Sequence, residues 1–278
     1  MMRALWTAAS GMTSQQTNVD VIANNLSNIN TIGFKSDSAQ FKTLLYQTIQ
    51  SKTTSANGET KPVGAQVGLG TRNAAITTDF TQGSLTQTDI TTDFAIDGKG
   101  FFAIQNIDGE TVYTRDGSFN WAMGTESSVM LCNAQGYPVL DTDGMPIELP
   151  VYPDEEQQFN TSLITIDSNG YVCYPDEKNN PQPLGPQIGI VQFSNPGGLE
   201  KSSNSTYKVT DASGEPIMEA ESFNIKRSKL RQGFLEASNV QTVDEMVNLI
   251  VAQRAYEMNS KAIQSADEML GQANQLKR

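Results

Sequence analysis

Histidine is absent from the 278 residues, which removes the side chain most often used as a general base near neutral pH and as a transition-metal ligand. Cysteine is almost absent. Cys132 and Cys173 stand alone, without CxxC spacing and with too few thiolates for a zinc site; unpaired burial and a single disulfide are both open readings for them. No apolar run is longer than Leu249 to Ala252, far below the roughly 20 residues that cross a bilayer as a helix, so membrane insertion is not expected. Positive charge is also scarce. Lys+Arg number 19 against 31 Asp+Glu, a net charge of -12 that repels phosphate backbones and anionic headgroups, so nucleic acid is not an expected partner. The opening MMRALWTAASGMTSQQ turns polar by Thr13 and lacks the apolar stretch of a secretory signal. By itself this predicts a cytoplasmic chain with no cleaved signal peptide.

The length is close to twice the roughly 150-residue domain prior. With 37% apolar residues and Pro 11 and Gly 22 spread along the chain, neither wholesale disorder nor a collagen-like repeat fits. The two ends carry a seven-residue period. Leu5, Met12, Val19 and Leu26 recur every seven, and Ala8, Gln15, Ile22 and Ile29 form a second series beside them. Thr13, Ser14, Gln16, Asn18, Asp20 and Asn24 fill the other faces, which predicts an amphipathic helix ending near Asn30 to Gly33. At the other end Leu249, Tyr256, Ile263 and Leu270 recur every seven, with Ala252, Ala266 and Ala273 in the neighbouring series. Thr242 and Glu245 read as a capping box that starts a helix near Val243, with Val247 in its first turns, running to about Gln275. The two helices are expected to pair in coiled-coil fashion. Gln15, Asn259 and the small alanines make a weak two-helix core, so neighbours from other subunits are expected as well.

Between the ends the period changes to two. Phe94 and Ile96 alternate with Phe101 and Ala103 across a GKG turn, and Asp108-Gly109, Asp116-Gly117, Asp143-Gly144 and Asn169-Gly170 punctuate short apolar runs, which predicts antiparallel hairpins. The fold class is therefore α+β, with long terminal helices and a central antiparallel all-β domain. The expected divisions are 1–33 with 240–278 as a helical domain, 34–96 with 221–239 as a connecting β or extended domain, and 97–220 as an outer β domain. Ser51 to Gly70 has no periodicity and reads as a loop ordered only by something outside its own subunit.

No catalytic, cofactor or metal site emerges. Gly68-Leu69-Gly70 lacks the third glycine and the strand-then-helix setting of a dinucleotide fingerprint. Asp141, Asp143, Gly144 and Glu148 are out of register for a calcium loop, and Asp154 to Glu156 read as a solvated acidic loop. Ser10, Ser127 and Ser202 have no histidine to activate them. Trp121, Tyr137 and Tyr152 are the aromatics that a glycan-binding module would expose.

The stretch Ala23 to Thr31, containing Asn24, Asn25, Leu26 and Asn28, followed by Gly33-Phe34-Lys35, resembles the N-terminal signature of the bacterial flagellar rod and hook family. Gln232 to Val240, Glu245-Met246-Val247 and Gln253 to Ala262 resemble its C-terminal half, and Asp93 to Phe102 and Tyr113 to Gly117 extend the similarity through the interior. Within the family, Tyr46-Gln47 onward through Pro62, Gly68 and Gly70 to Arg72 resembles the insertion that marks distal rod members, and the chain is too short for the extra outer domains of hook proteins.

The resemblance implies a structural subunit of the distal rod, not an enzyme, that polymerises into a hollow, rigid helical drive shaft carrying torque and enclosing the export channel. It implies a periplasmic location reached through the type III export apparatus without signal cleavage. Implied partners are copies of itself, proximal rod proteins, a hook or hook-junction protein and the surrounding rings. The inner-tube interface would comprise Leu5, Met12, Val19, Ile22, Leu26, Ile29, Val243, Val247, Leu249, Ala252, Tyr256, Ile263, Ala266 and Leu270. The alternatives are a proximal rod or hook protein of the same family, or a secreted β-rich adhesin.

Overall fold

A computed structural model describes residues 2–50, 64–124, 128–150, 163–175, 180–220, 222 and 225–275. The chain divides into two compact units. Residues 1–27, 37–78 and 241–278 form the first, and residues 28–36 and 79–240 the second.

The first unit contains helix α1 (Met2–Ser27), strands β1 (Asp37–Thr43), β2 (Tyr46–Gln50), β3 (Ala65–Gly68) and β4 (Thr71–Thr78), and helix α2 (Thr242–Gln275). Both helices run without proline along the segments the seven-residue period marks, but α1 stops at Ser27, short of the expected end near Asn30 to Gly33, so Ile29 of its second series lies in the turn that follows. Helix α2 begins one residue earlier than the capping box predicts: Thr242 is already helical and the Glu245 N–H donates to the Gln241 carbonyl at 3.1 Å. Asp244 and Glu245 in its first turn suit the positive end of the helix dipole.

Helix α1 packs both on α2 and on the β1–β4 pair. That second contact overturns part of the expected polar face. Ser14, expected in water, is buried with its hydroxyl 3.2 Å from that of Thr71, the Thr71 N–H donates to Ser10 Oγ at 3.3 Å, and Asn73 Nδ2 donates to Thr17 Oγ1 at 2.6 Å. Hydroxyl-to-hydroxyl contacts let a Ser/Thr-rich helix face be buried against a strand without orphaned donors. A second departure lies in Ser51 to Gly70: residues 51–63 fall outside the described residues, but Ala65–Gly68 is no loop and pairs antiparallel with Tyr46–Gln50.

The second unit begins with β5 (Leu85–Gln87), β6 (Phe94–Asp97), β7 (Phe101–Gln105), β8 (Thr111–Thr114), β9 (Phe119–Met123), β10 (Ser128–Asn133) and β11 (Glu148–Pro150). It continues with β12 (Thr165–Ile166), β13 (Tyr171–Pro175), β14 (Pro181–Gln187), β15 (Ile190–Gln192), β16 (Glu200–Lys201), β17 (Thr206–Lys208), β18 (Ile217–Met218), β19 (Lys229–Gln232) and β20 (Phe234–Glu236). Its centre is a six-stranded antiparallel sheet in the order β16-β17-β8-β7-β15-β18.

That sheet is covered on both faces. Side chains alternate along a strand, so Phe102 and Ile104 of β7 enter one core with Phe94, Phe119, Leu131 and Val172, while Phe101 and Ala103 enter another with Tyr113, Phe193 and Tyr207. The four-residue apolar run at 101–104 is the sequence mark of that two-sided burial. Asp108-Gly109 and Asn169-Gly170 do sit in hairpin turns, between β7 and β8 and between β12 and β13. The GKG and Asp116-Gly117 links do not. Strand β6 pairs with β19 rather than β7, and β9 pairs with β10 rather than β8, because each partner already has its edges occupied.

Phe102 is fully buried and meets Phe119 edge-to-face at 5.1 Å between centroids. Phe102→Ala is expected to cost about 3–5 kcal/mol, measured in the Trp6→Phe background as a fall in the urea midpoint followed by Trp121 fluorescence.

Candidate assembly surface

Successive residues of an α-helix step round the axis by about 100°, which divides the expected interface residues of α2 into two sets. Leu249, Ala252, Ile263 and Ala266 share one side; Ala252 and Ala266 are buried and the other two are half-buried. Asn259 lies on the same side, close enough to α1 that a Cβ on Gly11 would come 2.9 Å from Asn Nδ2. Tyr256 and Leu270 lie on the same side but keep 43% and 36% of their surface.

Val243 and Val247 belong to the opposite side. Val243 lies half a turn round from Ala252, and with Met246, Val247, Ile250 and Val251 it forms a continuous apolar stripe in which every member is more than half exposed. Met258, 64% exposed, extends it. Met246, Ile250, Val251 and Met258 were missed by a reading that followed a single seven-residue seam; the signal for them was a second apolar series at spacings of three and four beginning at Val243. Five exposed large apolar side chains within nine residues of one helix face exceed the scattered single apolar residues of an ordinary surface.

On α1, Ile22 and Ala8 are buried, and Leu5, Met12, Val19 and Leu26 are half-buried. Trp6 is 72% exposed. Ile29 belongs to the second unit, where it lines a shallow pocket with Ile32 and Leu235.

The signature residues have local structural tasks. Asn25, 1% exposed, joins three elements of the first unit: its Nδ2 donates to the Asp37 carbonyl at 2.8 Å and to Glu245 Oε1 at 3.1 Å, and its Oδ1 accepts from the Asp37 N–H at 2.9 Å. The Glu245 carboxylate thus faces Asn25 instead of capping its own helix. Asn28 accepts from the Thr31 hydroxyl at 3.1 Å, and Asn24 is exposed. Gly33 takes φ +66, with no room for a Cβ beside the backbone of Arg115. Phe34 lies under the Lys201 ammonium, 5.1 Å from the ring centre.

In the insertion, Tyr46 is paired with Gly68 and Gln47 with Val67. Gly70 has φ +119, and a Cβ there would collide with Ser10 Oγ, so glycine is required where the hairpin meets α1. Leu45, Tyr46 and Ile49 are all more than half exposed. Pro62 lies outside the described residues.

The described residues contain no cluster able to hold a metal. Cys132 and Cys173 are both free and buried, and burial pushes both thiols up from their ordinary range, away from the reactive thiolate. Trp121 and Tyr137 pack against the larger core rather than standing out as platforms; Tyr152 lies outside the described residues.

Three family descriptions match the chain: flagella basal body rod protein over residues 5–35, flagellar hook protein FlgE/F/G D1 domain over 95–174, and flagellar basal body rod FlgEFG protein C-terminal over 231–276. Among curated proteins, the chain is 49% identical to the flagellar basal-body rod protein FlgG of Borreliella burgdorferi, covering 100% of both chains. It is 42% identical to that of Caulobacter vibrioides, covering 99% of this chain and 100% of the other. To that of Buchnera aphidicola subsp. Acyrthosiphon pisum it is 37% identical, with 99% and 100% covered.

Asn25→Ala leaves the Asp37 N–H and carbonyl without their buried partner. The expected loss is about 1–3 kcal/mol, seen as a lower urea midpoint of the far-UV helix signal.

Proposed function

The chain belongs to the flagellar basal-body rod and hook family, and from that membership we propose that it is a structural subunit of the distal rod, polymerising into a hollow shaft that carries torque toward the hook. The observation that carries this reading is the apolar stripe on α2, which lies on the side of the helix away from α1. Burying such a stripe against a second copy of the chain contributes roughly 1.5–3 kcal/mol for each large side chain fully removed from water. Head-to-tail contacts between identical subunits extend without limit when the rotation between them does not close.

Charge supports the same division of labour. The first unit has nine Lys and Arg against eight Asp and Glu; the second has ten against twenty-three. Copies can therefore approach through the first unit with little electrostatic work, while their second units repel. In the finer reading the buried sides of α1 and α2 mesh in coiled-coil fashion, the first unit forms the wall round the export channel, and the β2–β3 hairpin fits against neighbouring subunits. Proximal rod proteins, a hook or hook-junction protein, the surrounding rings and the type III export apparatus complete the partners, and the subunit reaches the periplasm without signal cleavage. Its role is structural and not enzymatic, in keeping with the family of its relatives.

Val247→Asp combined with Ile250→Asp places two carboxylates in the stripe without touching the side facing α1. We expect the critical concentration for polymerisation to rise by at least about 100-fold, measured by sedimentation, with the urea midpoint of the monomer unchanged. Imaging basal bodies from cells lacking the chain separates the positions within the shaft. A rod that stops short of the outer rings is the expected result; a complete rod lacking only its hook would refute the distal assignment.

A further inference from the structure

The second unit buries a cluster of three charged side chains. Glu236, at the end of β20, is 1% exposed, and its Oε1 accepts from Lys35 Nζ at 2.6 Å and from the Gly83 N–H at 2.9 Å. Its Oε2 accepts from Arg115 Nη1 at 3.0 Å. Lys35 and Arg115 are 0% and 2% exposed. Each has one further partner: Lys35 Nζ donates to the Thr81 carbonyl and Arg115 Nη2 to the Gly98 carbonyl, both at 2.8 Å. The Arg115 guanidinium stands over the Phe101 ring at 5.1 Å, and its Nε has no partner among the described residues.

The arrangement has two unusual features. The first is its charge count, two cations on one anion. Burial pulls both cations below their ordinary pKa values, and Glu236 is the strongest influence pulling each back up; Asp79 acts on Lys35 and Glu219 on Arg115 only at longer range. Taking Glu236 away leaves two uncompensated buried cations, whereas taking Lys35 away leaves a matched pair.

The second feature is reach. Glu236 lies 201 residues from Lys35 and 121 from Arg115. The surrounding segment is committed in the same way: Leu230 enters the larger core, β19 completes the pairing of β6, the Gly33 N–H donates to the Glu236 carbonyl at 2.8 Å, and the Ser36 N–H donates to Asn239 Oδ1 at 2.8 Å.

We propose that Glu236 is the closing residue of the second unit, so that this unit stays open until the segment 229–240 reaches Lys35 and Arg115. The use of such a device rests on the rod reading above. A subunit that travels through a narrow export channel cannot close its fold inside it, because whichever end leads, a stretch of 201 residues has to be clear of the passage before the cluster forms.

The test uses the full chain carrying Trp6→Phe, so that fluorescence reports Trp121 beside the larger core, and measures refolding and unfolding rates of dilute monomer in urea. A contact made late speeds unfolding and leaves refolding nearly unchanged. Glu236→Gln is expected to unfold at least about 100-fold faster with refolding within about threefold of the parent, and Lys35→Met to unfold less than about tenfold faster. The triple variant K35M/R115M/E236L, which removes every charge while keeping apolar bulk, is expected to return to within about tenfold of the parent. If Glu236→Gln does not fold at all, the triple variant still has to. Parent-like rates in Glu236→Gln, a refolding rate slowed in proportion to the lost stability, or a triple variant no better than Glu236→Gln would each overturn the proposal. Polymerisation does not enter these rates, so failure of the rod reading would leave them unchanged and appear only in sedimentation.

Discussion

A helix that is apolar on two opposite sides cannot be satisfied by one partner. In its N-terminal half α2 has that character: Ala252 and Leu249 face α1, while Val243, Val247 and Ile250 face away. One face is used within the subunit and the other is left over. The excess cannot be relieved by rotating the helix, since any turn that buries Val247 exposes Ala252 and breaks the Asn25 bond to Glu245. In the proposed reading a second copy of the chain covers the remaining stripe, and the dependence of assembly on like copies then follows from the arrangement of side chains round one helix.

The rest of the first unit serves to fix that rotation. Asn25 ties α1 to β1 and α2 through three hydrogen bonds, Gly11 lets Asn259 approach, and Gly70 lets the β3–β4 connection close on Ser10. Each contact is polar or small, and none contributes the burial of a large apolar residue. The first unit accordingly holds its geometry through specificity more than through core volume, while the second unit has two aromatic-rich cores on either side of one sheet.

The helices were legible in the sequence because a seven-residue period over several turns is a strong and local signal. The β character of the middle was legible from its turns, yet its pairing was not. GKG joins two apolar runs as a hairpin would, but β6 takes its partner from β19, more than 100 residues on, and no local spacing encodes that choice. Ser14 was misplaced for a related reason: a polar face reads as solvent unless the strand supplying its hydroxyl partners is known, and Thr71 lies 57 residues away. The stripe from Val243 was visible but masked by the assumption of a single seam. Lys35, Arg115 and Glu236 all lie within the stretches that carry the family resemblance, but nothing in the sequence joined them, since charged residues far apart in sequence look solvated until the fold brings them together.

Distribution of charge connects these levels. All of the net negative charge lies on the second unit, and the first is close to balanced with a slight positive excess. For a subunit that must reach its site unassembled and then join a polymer, this separation is useful in two ways. Repulsion between second units lowers the tendency of free copies to associate through their β surfaces, and it acts over a Debye length of about 8 Å at physiological salt. The hydrophobic contacts of the first unit act only at direct contact, so they prevail once a subunit is docked in register. In the proposed assembly, range thus decides which force governs which stage: charge keeps the chain apart from its copies in solution, and the uncovered side of α2 holds it once in place.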